Sequence, residues 1–124
     1  MKHDIESRVD LELAIRSFYS KATSDKKIGV FFTEVIKINW EKHIPIMVDF
    51  WENAIFHTGN YSGDTMNIHK HINTIYPLEV SHFNQWTLLF LKTIDELFQG
   101  PNAETAKQRA LSISTIMQIK ILRQ

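Results

Sequence analysis

The feature that most constrains the fold is the spacing of apolar residues, which recur every three or four positions along almost the whole chain. This spacing places them on one face of an α-helix, and no stretch shows the sustained alternation of apolar and polar residues that a half-buried strand requires. Only four glycines and three prolines interrupt the pattern in 124 residues. The sequence therefore predicts an all-α fold of about four main helices plus short ones.

Three helical pieces are predicted in the first half of the chain. Asp10 can cap a helix start, so the first helix begins there and ends near residues 23–25. Its apolar stripe comprises Leu11, Ala14, Ile15, Phe18 and Ala22. A shorter piece covers residues 28–35. Asn39 caps the next helix, in which Pro45 predicts a kink or a tighter turn because proline lacks an N–H.

Three further helices are predicted in the second half. Asp64 caps a short helix that ends near Ile72. Ser81 precedes a long helix that ends before Gly100. Asn102 caps the last helix. Since no repeat, low-complexity tract or linker separates these pieces, they are expected to pack together.

Length and charge exclude several classes of protein. A chain of 124 residues is expected to form a single domain, residues 1–124, with a core large enough for a flat cofactor. Fourteen Lys and Arg balance fourteen Asp and Glu, so neither a nucleic acid nor a membrane is expected as a partner. The start of the chain lacks the apolar segment of a secretory signal, which predicts a cytoplasmic location. Without cysteine, any metal must be held by histidine, tyrosine, methionine or carboxylates.

Three short strings of residues combine histidine with aromatic or sulfur-bearing side chains. The first reads His43-Ile44-Pro45-Ile46-Met47-Val48-Asp49-Phe50-Trp51. The second reads Tyr61-Ser62-Gly63-Asp64-Thr65-Met66-Asn67-Ile68-His69. The third reads His82-Phe83-Asn84-Gln85-Trp86. Histidine is the commonest side-chain metal ligand, so these strings hold the candidate metal ligands of the chain.

In their spacing and order, the strings resemble signatures of the group III truncated haemoglobins. Those signatures are His-x-Pro-x-Met-x-Asp-Phe-Trp, Tyr-x-Gly-x-Pro-Met-x-x-His and His-Phe-x-Arg-Trp. The resemblance extends from about Phe18 to Met117, and the double-glycine motifs of the other truncated-globin groups are missing, as in group III. It implies a truncated globin, a two-over-two helical sandwich around haem b, which agrees with the all-α prediction.

His69 is the residue that the resemblance identifies as the axial ligand of the haem iron. On a helix it shares a face with Met66 and Ile72, so its ring is expected to point into apolar surroundings. Taken alone, such a histidine is more often a core residue with one hydrogen bond than a metal ligand. His71 is two positions away, a rotation of about 200° on a helix, so it cannot face the same metal and is expected at the surface.

The resemblance implies that Tyr19 and Trp86 donate hydrogen bonds to the ligand on the iron. In most proteins a buried tyrosine or tryptophan donates instead to a backbone carbonyl or a water, so a purely structural role is the alternative. His43 and Met47 fall at distal positions that would cover the pocket. Whether His43 swings outward as a gate or contacts the ligand stays open at this point.

The resemblance also predicts which residues line the haem pocket, namely Phe32, Phe50, Tyr61, Met66 and His82. Two positions depart from the family pattern, because Thr65 replaces a proline and Gln85 replaces an arginine. That arginine would be a candidate partner of a haem propionate, and glutamine brings no charge.

The anchoring of the propionates is therefore in doubt. Tyr61, His82 or Lys70 could replace the missing arginine, and the sequence does not choose among them.

These features predict a haem b protein that binds oxygen, nitric oxide, carbon monoxide or a small anion. Two hydrogen-bond donors would slow ligand release, which suits activation, scavenging or sensing better than bulk transport. The alternative is an enzyme, a nitric oxide dioxygenase or a peroxidase-like catalyst. It would need a partner reductase, since the chain has no G-x-G-x-x-G motif. A haem-free helical interaction module is a third hypothesis.

Overall fold

The structure is a computed structural model that describes residues 2–36, 38–58 and 65–122. These residues form five α-helices and one short π-helix, Phe31–Val35, with no strand among them. The α-helices are α1 Arg8–Ser24, α2 Trp40–Phe56, α3 Thr65–Ile75, α4 Val80–Leu97 and α5 Pro101–Leu122. The all-α prediction is confirmed.

The first helix begins two residues before the predicted start. Ser7 occupies the N-cap position of α1, and Asp10 lies inside the first turn. The Asp10 carboxylate reaches back to accept a hydrogen bond from the N–H of Glu6, at 2.9 Å. The predicted cap at Asp10 is therefore wrong, because its side chain is used by the segment before the helix. The predicted apolar stripe of α1 is buried in full.

The start of α4 also differs from the prediction. The N-cap is Glu79 rather than Ser81, and it forms a reciprocal capping box with His82. The N–H of Glu79 donates to Nδ1 of His82 at 3.0 Å, and the Glu79 side chain accepts from the backbone of His82. The third residue of a capping box is usually glutamate or glutamine. Because histidine takes this position here, the sequence does not reveal the capping box.

The last helix is capped by a residue from the other end of the chain. The carboxylate of Asp4 accepts hydrogen bonds from the N–H groups of Asn102 and Ala103, at 2.9 and 2.8 Å. The side chain of Asn102 donates to the carbonyl of Ile5 at 2.7 Å instead of capping α5. The prediction that Asn102 caps α5 is therefore wrong. Hydrogen bonds from Asn102 and Ala103 hold the N-terminal segment against the start of α5.

The second helix begins after Asn39, as predicted, but the Asn39 side chain makes no capping bond. The N–H groups of Lys42 and His43 both reach the Asn39 carbonyl, at 3.1 and 2.8 Å, so the first turn is tightened. The helix continues through Pro45 and ends at Phe56, and its C-cap His57 has a left-handed φ of 60°.

The third helix extends to Ile75, three residues beyond the predicted end near Ile72. The proposed cap Asp64 lies outside the described residues. After the helix, the N–H of Leu78 donates to the side chain of Asn73 at 2.7 Å, which closes the turn around Pro77. The end of α3 is therefore set by a side-chain bond that the apolar spacing does not reveal.

The main core is shared by α1, α2, α4 and α5, and its centre is aromatic. Phe90 stacks on Trp51, with ring centroids 4.7 Å apart, and on Trp86, at 5.6 Å. Phe18 of α1 meets the edge of Phe90 at 5.7 Å. Among the described residues, no helix is long and apolar enough to cross a membrane.

A smaller cluster lies beside the main core. Phe83 of α4 and Met117 and Ile121 of α5 form its buried centre, and Met66 of α3 packs against them. α3 therefore packs on this cluster through Met66, whereas its buried Ile72 belongs to the main core.

Candidate functional site

Helix α2 has two neighbouring apolar faces that are buried to different degrees. Its fully buried residues are Ile44, Val48, Trp51 and Ile55. The adjacent face, predicted to line the pocket, carries His43, Met47 and Phe50, and these side chains are half-buried. A half-buried apolar face next to a fully buried one is what the wall of a ligand cleft requires.

Tyr19 and His43 meet on this wall. The distance between Tyr19 Oη and His43 Nε2 is 2.8 Å, so α1 and α2 are joined by a hydrogen bond. Around it, the Tyr19 ring makes edge contacts with Phe18, Phe32 and Trp40, with centroids 5.0 to 5.6 Å apart. Trp40 was not predicted as a site residue, although its position three residues before His43 places it on the same side of α2.

Both groups of this pair are held in their neutral forms. Burial raises the pKa of the Tyr19 hydroxyl well above its ordinary value. Burial also lowers the pKa of His43, and the charge of His69 lowers it further. A neutral tyrosine and a neutral histidine share one hydrogen in their bond. When His43 Nε2–H is the donor, the Tyr19 hydrogen is left to point at another acceptor.

Trp86 completes the aromatic wall from α4. Its ring stacks on Phe90 at an interplanar angle of 11° and meets the edge of Phe18 at 75°. Within the described part of the chain, no residue accepts a hydrogen bond from its indole N–H. A partly buried N–H held by stacked rings is a donor that a ligand in the cleft could use.

His69 lies on α3 and is half-buried, whereas His71 is exposed and Ile72 is buried. The expected surface position of His71 is therefore confirmed. Because the charge of His69 influences the pKa of His43, the two histidines lie within electrostatic reach of each other, on α3 and α2. A histidine of α3 therefore lies within electrostatic reach of the polar pair on α2 and α1.

The remaining predicted pocket residues fall in three different environments. Phe32 lies in the π-helix and packs on Tyr19, inside the wall. His82 lies beside Phe31 with ring centroids 5.0 Å apart, and its Nδ1 belongs to the capping box of α4. Met66 packs on the smaller cluster.

Tyr61 and Lys70 were the other two candidate partners of a haem propionate. Tyr61 lies outside the described residues. Lys70 is half-buried and forms no ion pair with any described residue.

Gln85, at the position of the missing arginine, is tied to another part of the molecule. Its Nε2 donates to Oδ1 of Asp25 at 2.7 Å, which joins α4 to the residue that follows α1. Burial by itself would raise the pKa of Asp25. The hydrogen bonds from Ile28, Gln85 and Lys27 outweigh burial and hold this pKa below its ordinary value. Asp25 is therefore an ionised acceptor, a role that sequence reasoning missed.

The donor set fits haem better than a metal ion held by protein ligands alone. Within the described ranges, no three His, Asp or Glu side chains converge as a metal site would require. Haem iron takes most of its ligands from the porphyrin and needs only an axial imidazole from the protein. His69 on α3, within electrostatic reach of the Tyr19–His43 pair, could supply that imidazole.

Comparison with known proteins identifies relatives with the same fold. No family model matches the chain. A curated relative, a group 3 truncated hemoglobin of Campylobacter jejuni, is 24% identical over 121 residues, which cover 95% of this chain and 93% of the relative. The crystal structure of a group III truncated hemoglobin from Campylobacter jejuni superposes with a TM-score of 0.84 at 22% identity, covering 98% of this chain and 95% of that one. The chain therefore has the fold of the group III truncated haemoglobins and resembles them in sequence along nearly its whole length.

Proposed function

We propose that the protein is a group III truncated haemoglobin that binds haem b between α2 and α3, with His69 as the axial ligand. The observation that carries this proposal is the hydrogen-bonded pair of Tyr19 and His43, which lies within electrostatic reach of His69. A polar pair on α1 and α2, with a histidine of α3 within electrostatic reach, fits the two sides of a haem. The family resemblance independently identifies the same three residues.

When bound, haem supplies an iron that takes a diatomic ligand and, for oxygen, places partial negative charge on the ligand. The protein's part is to hold that ligand with hydrogen-bond donors. Tyr19 provides a neutral hydroxyl that keeps its hydrogen, because burial raises the pKa of the group. Trp86 provides an indole N–H that no described residue engages. Each donor to a charged acceptor contributes about 1.5 to 3 kcal/mol.

His43 controls which way the Tyr19 hydrogen points. In the tautomer with a hydrogen on Nε2, His43 donates to Tyr19 Oη and frees the tyrosine hydrogen for the ligand. In the other tautomer, Tyr19 donates to His43 and the ligand loses one donor. His43 therefore acts on ligand retention through Tyr19 as well as by covering the cleft.

Two donors predict slow release of a polar ligand, since about 1.4 kcal/mol corresponds to a tenfold change in the dissociation constant. Slow release suits ligand activation, scavenging or sensing better than bulk transport of oxygen. The apolar part of the pocket, formed by Phe32, Met47 and Phe50, excludes water from the ligand.

The direct test is haem uptake by the purified chain, followed by two matched variants. Wild type loaded with haem should show an intense Soret band and a five-coordinate ferrous histidine spectrum. His69→Ala should lose the histidine signature. His71→Ala, which alters an exposed histidine two positions away, should keep the wild-type spectrum. Loss of the signature in His71→Ala but not in His69→Ala would overturn the assignment.

A further inference from the structure

We infer that Asp25 and Gln85 form a positioning pair that sets Tyr19 on α1 relative to Trp86 on α4. This inference rests on the proposed function, because it concerns the geometry of the two ligand donors. Its basis is the 2.7 Å hydrogen bond from Gln85 Nε2 to Asp25 Oδ1, which links residues 60 positions apart. Asp25 directly follows α1, and Gln85 directly precedes Trp86.

Asp25 accepts several hydrogen bonds from the turn between α1 and the π-helix. Its Oδ2 accepts the N–H groups of Lys27 and Ile28 at 2.9 and 3.0 Å, and its carbonyl accepts the N–H of Gly29 at 2.9 Å. Gly29 lies so close to α1 that an added Cβ would come within 2.8 Å of the Thr23 carbonyl. The turn at residues 25–29 is therefore tightly packed. A displacement of Asp25 would move both the end of α1 and the start of the π-helix.

This hydrogen bond adds a directional constraint to the ring contacts between α1 and α4. Phe18 touches Trp86 edge-on, with centroids 5.9 Å apart, and such a contact tolerates sliding. A hydrogen bond weakens steeply with distance and angle, so it fixes the relative position of its two ends. Ligand donors must be placed within a fraction of an ångström to be effective, and they depend on supporting bonds of this kind.

The charge of Asp25 makes the bond strong enough for this role. Hydrogen bonds from the surrounding N–H groups and from Gln85 keep the pKa of Asp25 low despite its burial, so the carboxylate stays ionised near neutral pH. A hydrogen bond to an ionised acceptor is roughly twice as strong as one between neutral groups. The Nε2 group of Gln85 is thus engaged by Asp25.

The experiment separates loss of the bond from loss of the side chain. Gln85→Met removes the amide at nearly constant volume. Gln85→Glu sets two carboxylates against each other, and the double variant Asp25→Asn with Gln85→Glu restores the bond with donor and acceptor exchanged. Gln118→Met is the matched control, since among the described residues the Gln118 side chain bonds only to Ser114 on its own helix, at 3.2 Å. The readouts are oxygen and carbon monoxide dissociation from the loaded protein and the near-ultraviolet circular dichroism of the haem-free chain.

We expect Gln85→Met and Gln85→Glu to raise the oxygen dissociation rate about three- to tenfold and to change the aromatic dichroism. The double variant should return within about twofold of wild type. Carbon monoxide dissociation, which depends little on donors, should change less than about twofold in every variant. Gln118→Met should match wild type.

Wild-type oxygen rates in Gln85→Met and Gln85→Glu, or a double variant that does not recover, would overturn the positioning role. If wild type takes up no haem, the proposed function fails instead. In that case the dichroism of the haem-free chain still tests whether the pair sets Trp86, and unchanged spectra would reject it.

Discussion

The two sides of the proposed haem site are built differently. On the side of α1, α2 and α4, Tyr19, His43 and Trp86 are held by a hydrogen bond and by stacked or edge-on rings of the main core. On the other side, α3 packs mostly on α5, with Met66 on the small cluster and Ile72 in the main core. Two large apolar residues of α3, Ile68 and Ile75, remain 56% and 57% exposed.

This difference indicates which side exists before the cofactor is bound. Tyr19 and Trp86 of the proposed ligand-facing wall pack against the main core, so this wall should form whenever the protein folds. The helix that carries His69 buries little apolar surface of its own, and elements with few buried contacts open most readily. Bonding between His69 and iron would therefore stabilise α3 more than any other helix.

The largest expected effect is on the free energy of unfolding, when one side chain on each side of the site is truncated to alanine. Phe90 is 2% exposed and contacts three other aromatic rings, so Phe90→Ala should lower the free energy of unfolding by about 3 to 5 kcal/mol. Met66 is half-buried on α3, and Met66→Ala should cost only about 1 kcal/mol. Denaturant titration of the haem-free chain measures both values. Equal losses would contradict the asymmetry.

Haem uptake should then protect the weaker side selectively. Hydrogen exchange of the α3 amides should slow by about a hundredfold at saturating haem, because opening of α3 would break the bond to His69. Amides of α1 should change far less. In His69→Ala the selective protection of α3 should disappear, and uniform protection of α1 and α3 in wild type would argue against the comparison.

His43 tests how the ligand-facing wall opens. Removing its ring by His43→Ala should speed carbon monoxide association by about tenfold, since the half-buried ring covers the cleft and contributes to the barrier. Flash photolysis of the carbonyl complex measures this rate. An unchanged association rate with a large loss of oxygen affinity would instead make His43 a direct donor to the ligand.

The smallest expected effect is a dependence of stability on pH. Burial, and then the charge of His69, lower the pKa of His43 below 6.5, so the unfolded chain binds this proton more readily than the folded one. The folded state should therefore lose stability as the pH falls below about 6.5. In haem-free His43→Phe this loss should be smaller, as measured by denaturant titration at pH 7.5 and 5.5. A loss equal to that of wild type would contradict the pKa shift of His43.

The features that could be predicted from the sequence are those that depend on the spacing of residues within a single helix. The buried stripe of α1 follows from its apolar period, and the shared face of His43, Met47 and Phe50 follows from positions one and two turns apart. Helix ends were predicted less well. Asp4 caps α5 although it lies 98 residues before Asn102, and the residues around the start of α5 do not reveal so distant a partner.

The site shows the same division. The resemblance predicts which residues would face a ligand, and His43, Met47 and Trp86 lie in motifs of fixed spacing. It did not reveal that Tyr19 bonds to His43, or that Gln85 bonds to Asp25. Those contacts depend on how helices pack against each other, which the spacing of residues along one helix does not determine.

The most direct test of the account is the rate of ligand loss from Tyr19→Phe and Trp86→Phe. Tyr19→Phe deletes a hydroxyl and preserves the ring, so the loss of one bond to a charged acceptor should raise the oxygen dissociation rate about ten- to a hundredfold. Trp86→Phe should act similarly. Carbon monoxide carries little charge on its outer atom, so its dissociation should change far less in both variants. Stopped-flow measurements that show an unchanged oxygen rate, or equal changes for the two gases, would contradict the two-donor pocket.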